Sequence, residues 1–303
     1  MDKRNFALMA ATCVSIIYGV TFTIAKDVMP EFIAAFGFIV LRVGGSAVLF
    51  WMAWLFMPKE KIDVGDWGRI AAAALFGVAL NMLTFFKGLS LTSPISAAVI
   101  MVTTPIIVLV LSAFIIREKM RTRKIFGIVL GLIGTVFLIL YGKSVGSATN
   151  AGMGNLLVFI NAFSYGFYLI LVKKLMQKYN AFTFVKWIYT FGFLMVLPFG
   201  WNDAQAIDWS LMPATIYLKT AFVVVVSTFL TYLLNLISMK ELSPSTVAVF
   251  IYLQPLFATI FAIGLGKDEL SLVKIISAVL IFAGVYLVTQ KNPTPDNYRN
   301  NNR

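Results

Sequence analysis

Ser93-Pro94-Ile95-Ser96-Ala97-Ala98-Val99, followed by Pro105, returns 150 residues later as Ser243-Pro244-Ser245-Thr246-Val247-Ala248-Val249, followed by Pro255. The correspondence runs without a gap from Ser93 to Gly134 in one copy and from Ser243 to Gly284 in the other. Lys124-Ile125 meets Lys274-Ile275, and the charged break Arg117-Glu118 meets Lys267-Asp268. Apolar helices agree often by chance, so the weight rests on the paired prolines, the paired break and the missing gaps. Nearer the start, a shift of 147 lays Tyr18-Gly19 on Tyr165-Gly166 and Lys26 on Lys173. The chain is written twice.

What is duplicated is a set of membrane helices. Of 303 residues, 60% are hydrophobic and only 13% charged, and the mean hydropathy is +0.88. Soluble domains carry about 25% charge. At about 20 residues per span, the apolar runs predict helices near 7–25, 32–57, 70–86, 94–116, 125–141, 154–172, 182–200, 214–238, 245–266 and 272–289. Membrane strands are excluded, because they are shorter and alternate polar with apolar. Met1-Asp2-Lys3-Arg4 resembles the start of a signal peptide, but the apolar run behind it is too long and lacks a cleavage site. It reads as a retained first helix.

The net charge of +12 is a topology signal rather than a nucleic-acid signal. Of 25 Lys and Arg, 17 fall on the side shared by the termini and the even-numbered breaks, and five on the other. Both termini are therefore expected in the cytoplasm, in a bacterial-type inner membrane. Five helices per copy is an odd number, so the copies enter the membrane from opposite sides. The predicted fold is all-α: ten transmembrane helices as two inverted-topology repeats, 1–142 and 143–290, with a disordered cytoplasmic tail at 291–303. Inverted repeats let two halves rock about a central site, a symmetry that transporters use and membrane enzymes seldom need.

Several chemistries are closed. Histidine is absent and Cys13 is the one cysteine, so His-based triads, His-ligated metals and intrachain disulfides are impossible. Cys13, in an apolar run, reads as a small buried hydrophobe. No phosphate-binding Gly-x4-Gly-Lys-Ser/Thr loop occurs. No cofactor and no metal are expected, and no helix interior carries Asp or Glu.

In their order, these elements resemble the drug/metabolite transporter superfamily, in particular its ten-helix EamA-type members, over about residues 6 to 290. The matching elements in the first half are Tyr18-Gly19 with Lys26, Leu41-Arg42, the 93–98 stretch leading to Pro105, Glu118, and Gly127 to Gly134. The second half supplies Tyr165-Gly166, Lys173-Lys174, Ser243-Pro244, Tyr252-Leu253-Gln254-Pro255, Asp268-Glu269 and Gly284. The resemblance implies passage of small metabolites, often amino acids and usually outward. It also implies a cavity lined by helices 1, 3 and 4 and their counterparts 6, 8 and 9.

Polar side chains are costly in hydrocarbon and should face the interior. Asn161, Ser164, Tyr165 and Tyr168 form one helical stripe, and Thr228, Thr231, Tyr232 and Asn235 another. Asn81 and Thr84 share a face of helix 3, and Ser15, Tyr18 and Thr21 a face of helix 1. Thr103-Thr104 precede Pro105, and Tyr252 and Gln254 precede Pro255. The stripes converge on one cavity, although each such group can equally tie helices together. Pro105 and Pro255 should kink helices 4 and 9, freeing the carbonyls of Met101 and Ile251 for a gating or cavity role. Arg42, about 15 Å into helix 2 by helical rise, is a buried charge that either clamps helix ends or attracts a carboxylate. Lys186 and Lys219, near helix ends, can snorkel. Gly127, Gly131 and Gly134 permit close helix packing, between the halves or in a dimer.

The leading expectation is a secondary transporter, an exporter of amino acids or related compounds, acting as monomer or homodimer on a small-molecule substrate among membrane lipids. Drug efflux or uptake by the same fold, and a lipid scramblase or receptor, are the alternatives. With no carboxylate inside a helix, flux should follow the substrate gradient alone.

Overall fold

The computed structural model describes residues 2–92, 94–140, 150–264, 266 and 269–290. The tail beyond Gln290, Lys267-Asp268, Ser93 and the 141–149 connection lie outside them. Ten helices are long and apolar enough to cross a membrane. They are α1 (Lys3–Val28), α2 (Ala35–Trp54), α3 (Val64–Leu91), α4 (Ser96–Ile115), α5 (Thr122–Leu140), α6 (Ala151–Met176), α7 (Ala181–Gln205), α8 (Ala214–Glu241), α9 (Pro244–Gly264) and α10 (Leu272–Thr289). Among the described residues there is no strand. Several starts are fixed by polar side chains that accept otherwise orphaned backbone N–H groups: Asp2 from Arg4, Asn150 from Met153, Asn180 from Phe182 and Ser271 from Lys274.

Two local expectations are corrected. α7 runs on to Gln205 instead of ending near 200, with Pro198 inside it. Gly200 lets the continued backbone lie against α2, where a Cβ would stand 2.4 Å from the Phe36 carbonyl oxygen. Cys13 is exposed, on one stripe of α1 with exposed Phe6, Met9 and Ile16. In a membrane protein the lipid-facing surface is as apolar as the core, so an apolar neighbourhood does not distinguish inside from outside.

The strongest packing crosses between the halves. α1 lies against α8 and α9, and its counterpart α6 lies against α3 and α4; α2 pairs with α7, and α5 with α10. Each pairing maps onto itself or onto another when the halves are exchanged, which is the two-fold relation of an inverted repeat. The α5–α10 contact depends on glycine. A Cβ on Gly127 would stand 2.8 Å from the Gly284 oxygen, and one on Gly134 2.9 Å from the Ser277 oxygen. The glycine stripe thus joins the two halves.

Four helices depart from α geometry, in matched pairs. α3 has a wide turn at Leu75–Ala79, where the Leu80 N–H reaches back five residues to the Leu75 oxygen. α8 has the same device at Val225–Leu230, where the Thr231 N–H reaches Val226. The two turns begin at Leu75 and Val225, the same offset that relates the prolines. α4 is interrupted between Met101 and Thr104, just before Pro105, and α9 tightens over Phe250–Tyr252, just before Pro255. Both prolines thus sit at the start of a new helical segment, where the missing N–H is tolerated, and not inside an uninterrupted one.

These breaks divide the contacts of α4 and α9. Pro244–Val249 of α9 packs on Thr104–Ile115 of α4, at the face that carries the start of α1 and the end of α10. Toward the opposite face, Pro94–Met101 packs on α6 and Leu253–Gly264 on α1.

Candidate substrate site

The two wide turns lie midway along α3 and α8, and hydroxyl groups gather on backbone carbonyls in or just before them. In α3, the Phe76 carbonyl accepts from Ser164 at 2.6 Å and the Gly77 carbonyl from Tyr232 at 2.9 Å. In α8, the Val223 carbonyl accepts from Thr228 at 2.7 Å and the Val224 carbonyl from Ser46 at 3.1 Å. A wide turn displaces backbone acceptors from regular helical pairing, and buried carbonyls need partners; each turn therefore holds polar side chains from a neighbouring helix.

Around this frame stands a group of five tyrosines and one arginine. The Tyr168 ring lies on Gly77, where a Cβ would come within 2.3 Å of its Cδ2. Tyr165 and Tyr232 lie tilted against it, with ring centroids 6.0 Å and 6.5 Å away, and Tyr189 stands edge-on to Tyr232 at 4.9 Å. Tyr18 receives a long hydrogen bond from Thr231, at 3.4 Å, and Tyr165 meets the Asn235 side chain. Arg42 donates from Nε to Thr228 Oγ1 at 2.9 Å, and its charge bears on Tyr18, Tyr189 and Tyr232. It makes no ion pair among the described residues. It holds a side chain of a wide turn, not the helix ends.

Asn81 and Asn161 tie α3 to α6 reciprocally: Asn161 Nδ2 donates to the Asn81 carbonyl at 2.7 Å, and Asn81 Nδ2 to the Asn161 carbonyl at 3.4 Å. The Asn161 Oδ1, the Tyr168 hydroxyl and the Ser227 hydroxyl are buried with no partner in the structure. Leaving such groups unpaired is costly.

The other sequence candidates make local contacts of their own. Thr84 bonds back to the Leu80 carbonyl at 2.7 Å. Thr104 takes the Met101 carbonyl at 2.5 Å, so that carbonyl, freed by Pro105, is satisfied within its own helix. Tyr252 is fully buried against α5, where a Cβ on Gly131 would stand 2.5 Å from its ring. The backbone of Gln254 lies against α1, its main-chain carbonyl oxygen 2.9 Å from where a Gly19 Cβ would be. Tyr189 and Ser46 escape the sequence reading, because α2 and α7 show no polar stripe; nothing in residue type announces the wide turns.

The face carrying the start of α1 and the end of α10 is cross-linked by charged groups. Glu118, in the α4–α5 connection, accepts from Lys124 and from Ser245 at the start of α9. Lys124 also donates to Ser243 at 2.9 Å. Burial raises the Glu118 carboxyl, but the Lys124 charge and the hydrogen bonds from Lys124, Ser245 and Ser243 outweigh it and hold the group below its usual value. Lys173, at the end of α6, donates to the carbonyls of Met239, Lys240 and Leu242 at the end of α8. Lysine here neutralises a helix C-terminus. Beside these contacts lies a cleft of about 380 Å3, lined by Arg4, Glu118, Arg121, Glu241 and Thr246 among others.

A family model described as the EamA-like transporter family matches residues 5–140 and 152–290. Among similar proteins, an "uncharacterized transporter" of Archaeoglobus fulgidus is 25% identical over 79% of this chain and 83% of its own length. The "uncharacterized transporter YetK" of Bacillus subtilis is 23% identical over 98% of this chain and 91% of its own. A crystal structure at 16% identity superposes with a TM-score of 0.77, covering 94% of this chain and 98% of that one, which is a likeness of fold.

Proposed function

The chain belongs to the EamA-like transporter family, and from that premise we propose that it carries small polar metabolites, such as amino acids, out of the cell by alternating access. In this reading the face with both termini is cytoplasmic, as the placement of Lys and Arg favours. One set of contacts supports it: Arg42 donates to Thr228 of one wide turn, Tyr232 donates to the Gly77 carbonyl of the other, and buried polar atoms of Asn161, Tyr168 and Ser227 have no partner. A guest bearing a carboxylate or other polar group finds a cation without an acidic partner and hydrogen-bonding groups without partners. The arrangement stands closed on the cytoplasmic side, where α9 packs on α4 and Glu118 meets Ser245. Exchanging the conformations of the two halves would part that seal and bring Pro94–Met101 and Leu253–Gly264 together instead. The site holds no buried carboxylate among the described residues, so flux runs down the substrate gradient.

The test is counterflow in sealed vesicles carrying the purified protein, across a panel of labelled amino acids and amines. The expected result is saturable exchange of at least one amino acid that is lost in Arg42→Gln. Exchange of labelled lipid between leaflets with no solute flux would replace the carrier by a scramblase. Accumulation driven by an imposed pH gradient alone would overturn the gradient-driven mechanism.

A further inference from the structure

The sequence allowed Lys186 to snorkel; the structure encloses it. Its side chain is buried, with 3% exposure. The ammonium lies 3.0 Å from the ring centroid of Trp54, 4.4 Å from that of Trp51 and 5.3 Å from that of Trp187. Trp67 closes the group edge-on to Trp187 at 4.9 Å. Indole faces attract a cation but accept none of its three N–H bonds in the ordinary sense, and no oxygen among the described residues takes one. The indole N–H of Trp54, on the ring the ammonium covers, is likewise buried without a partner. Trp51 by contrast donates to Thr190 at 2.9 Å.

Carboxylates close in the sequence are committed elsewhere. Asp66 receives Arg69, Lys178 and Tyr179, Asp63 pairs with Lys178, and Glu60 accepts the Asn180 N–H. Two orphaned donors of different elements, one of them charged, therefore share one place and lack one acceptor. That place is set at headgroup depth: Trp54 ends α2, and Lys186 is one and a half turns into α7, about 7 Å along the helix. Met52, Leu55 and Phe56 beside it are exposed apolar groups, positioned for acyl chains.

We infer that Lys186 and Trp54 form a binding site for the phosphodiester of an anionic phospholipid. The ammonium and the indole N–H donate to the two non-bridging phosphate oxygens, and Trp51 and Trp187 wall the headgroup. A phosphodiester supplies the acceptors that both donors lack, and where no headgroup cation neutralises it, as in phosphatidylglycerol but not in phosphatidylcholine, its charge offsets the buried cation. The site is separate from the arginine–tyrosine centre and stands whether or not that centre carries solute.

The full chain in detergent micelles, titrated with phosphatidylglycerol, phosphatidylcholine or inorganic phosphate and read by native mass spectrometry, tests this. The wild type should retain one phosphatidylglycerol about ten-fold more tightly than phosphatidylcholine, equivalent to about 1.4 kcal/mol. Lys186→Met should abolish that preference. Trp54→Phe, which keeps an aromatic ring beside the ammonium and removes the N–H together with part of the ring system, should weaken it severalfold, and it reports on the site even if Lys186→Met fails to fold. Displacement of the lipid by millimolar inorganic phosphate would assign the same oxygens to a free anion and overturn the lipid. Equal retention of both lipids by the wild type, or an unchanged preference in Trp54→Phe, would overturn the site.

Discussion

Replacing Gly284 by alanine tests the joint between the halves at its tightest point. The added Cβ would stand 2.6 Å from the Gly127 oxygen, 2.7 Å from the Gly131 nitrogen and 2.9 Å from the Gly131 Cα. All three are backbone atoms of α5, so no side chain can rotate away. Carbon and oxygen settle at about 3.3 Å or more even in weak hydrogen bonds, so α10 must move away from α5 by roughly 0.7 Å along a contact several turns long. Overpacking of this kind costs about 1–3 kcal/mol. Alanine returns about 0.5–1 kcal/mol through its better helix propensity, leaving a net loss of about 0–2.5 kcal/mol, centred on about 1 kcal/mol. Gly68→Ala is the matched control: it is helical, exposed, and has nothing within 4 Å of its Cβ position. Unfolding in mixed detergent–dodecylsulfate micelles, followed by tryptophan fluorescence, should show Gly284→Ala clearly destabilised and Gly68→Ala unchanged or slightly more stable. If both variants match the wild type, the α5–α10 contact is not the close backbone approach described, and the packing argument fails.

Other outcomes follow from the same geometry. Tyr18→Ala and Tyr165→Ala should each lower transport several-fold at unchanged membrane abundance; loss of abundance in step with activity would make them packing residues. Arg42→Lys, which keeps the charge but loses the planar guanidinium fork, should cut transport strongly, and wild-type activity would remove Arg42 from the site. Glu118 titrates below its usual range when folded, so its contribution to stability is complete above the unfolded value of about 4.3 and is lost as pH falls through the lower folded value. The stability gap between wild type and Glu118→Gln should therefore be open at pH 7 and close under acid conditions; a gap that does not depend on pH would exclude the carboxylate as its source. On a Cys13→Ala background, a cysteine at Ser210 should react with an impermeant thiol reagent from outside and one at Thr122 should not, and the reverse pattern would invert the proposed orientation.

Much of the fold is legible because lipid leaves few options: ten apolar runs must be ten helices, and the repeated prolines expose the duplication. The interleaving of the halves was visible only in part, through the glycines of α5. The candidate site was legible where polar residues recur on one face, as with Asn161, Ser164, Tyr165 and Tyr168. It was not legible where a residue enters from a helix with no such stripe, as Tyr189 does, or where polarity serves the helix itself, as Thr84 and Thr104 do by bonding back to their own turns. Tyr252 misled for a related reason: it sits beside a paired proline, yet faces the glycine of α5. Lys186 lies within reach of a helix end but is enclosed by indoles from α2 and its own helix, which only tertiary contact brings together.

The matched wide turns also determine where this chain can change length. In an ordinary α-helix, removing one residue rotates everything beyond it by about 100°, which in a bundle this interleaved would turn a lipid-facing row inward. A wide turn already holds one residue more than the regular spiral needs. Deleting a single residue within Leu75–Ala79 or Val225–Leu230 relaxes that surplus and leaves the rows on either side in their present alignment. Away from their ends, α3 and α8 can thus each be shortened at the centre of the molecule without scrambling which faces meet.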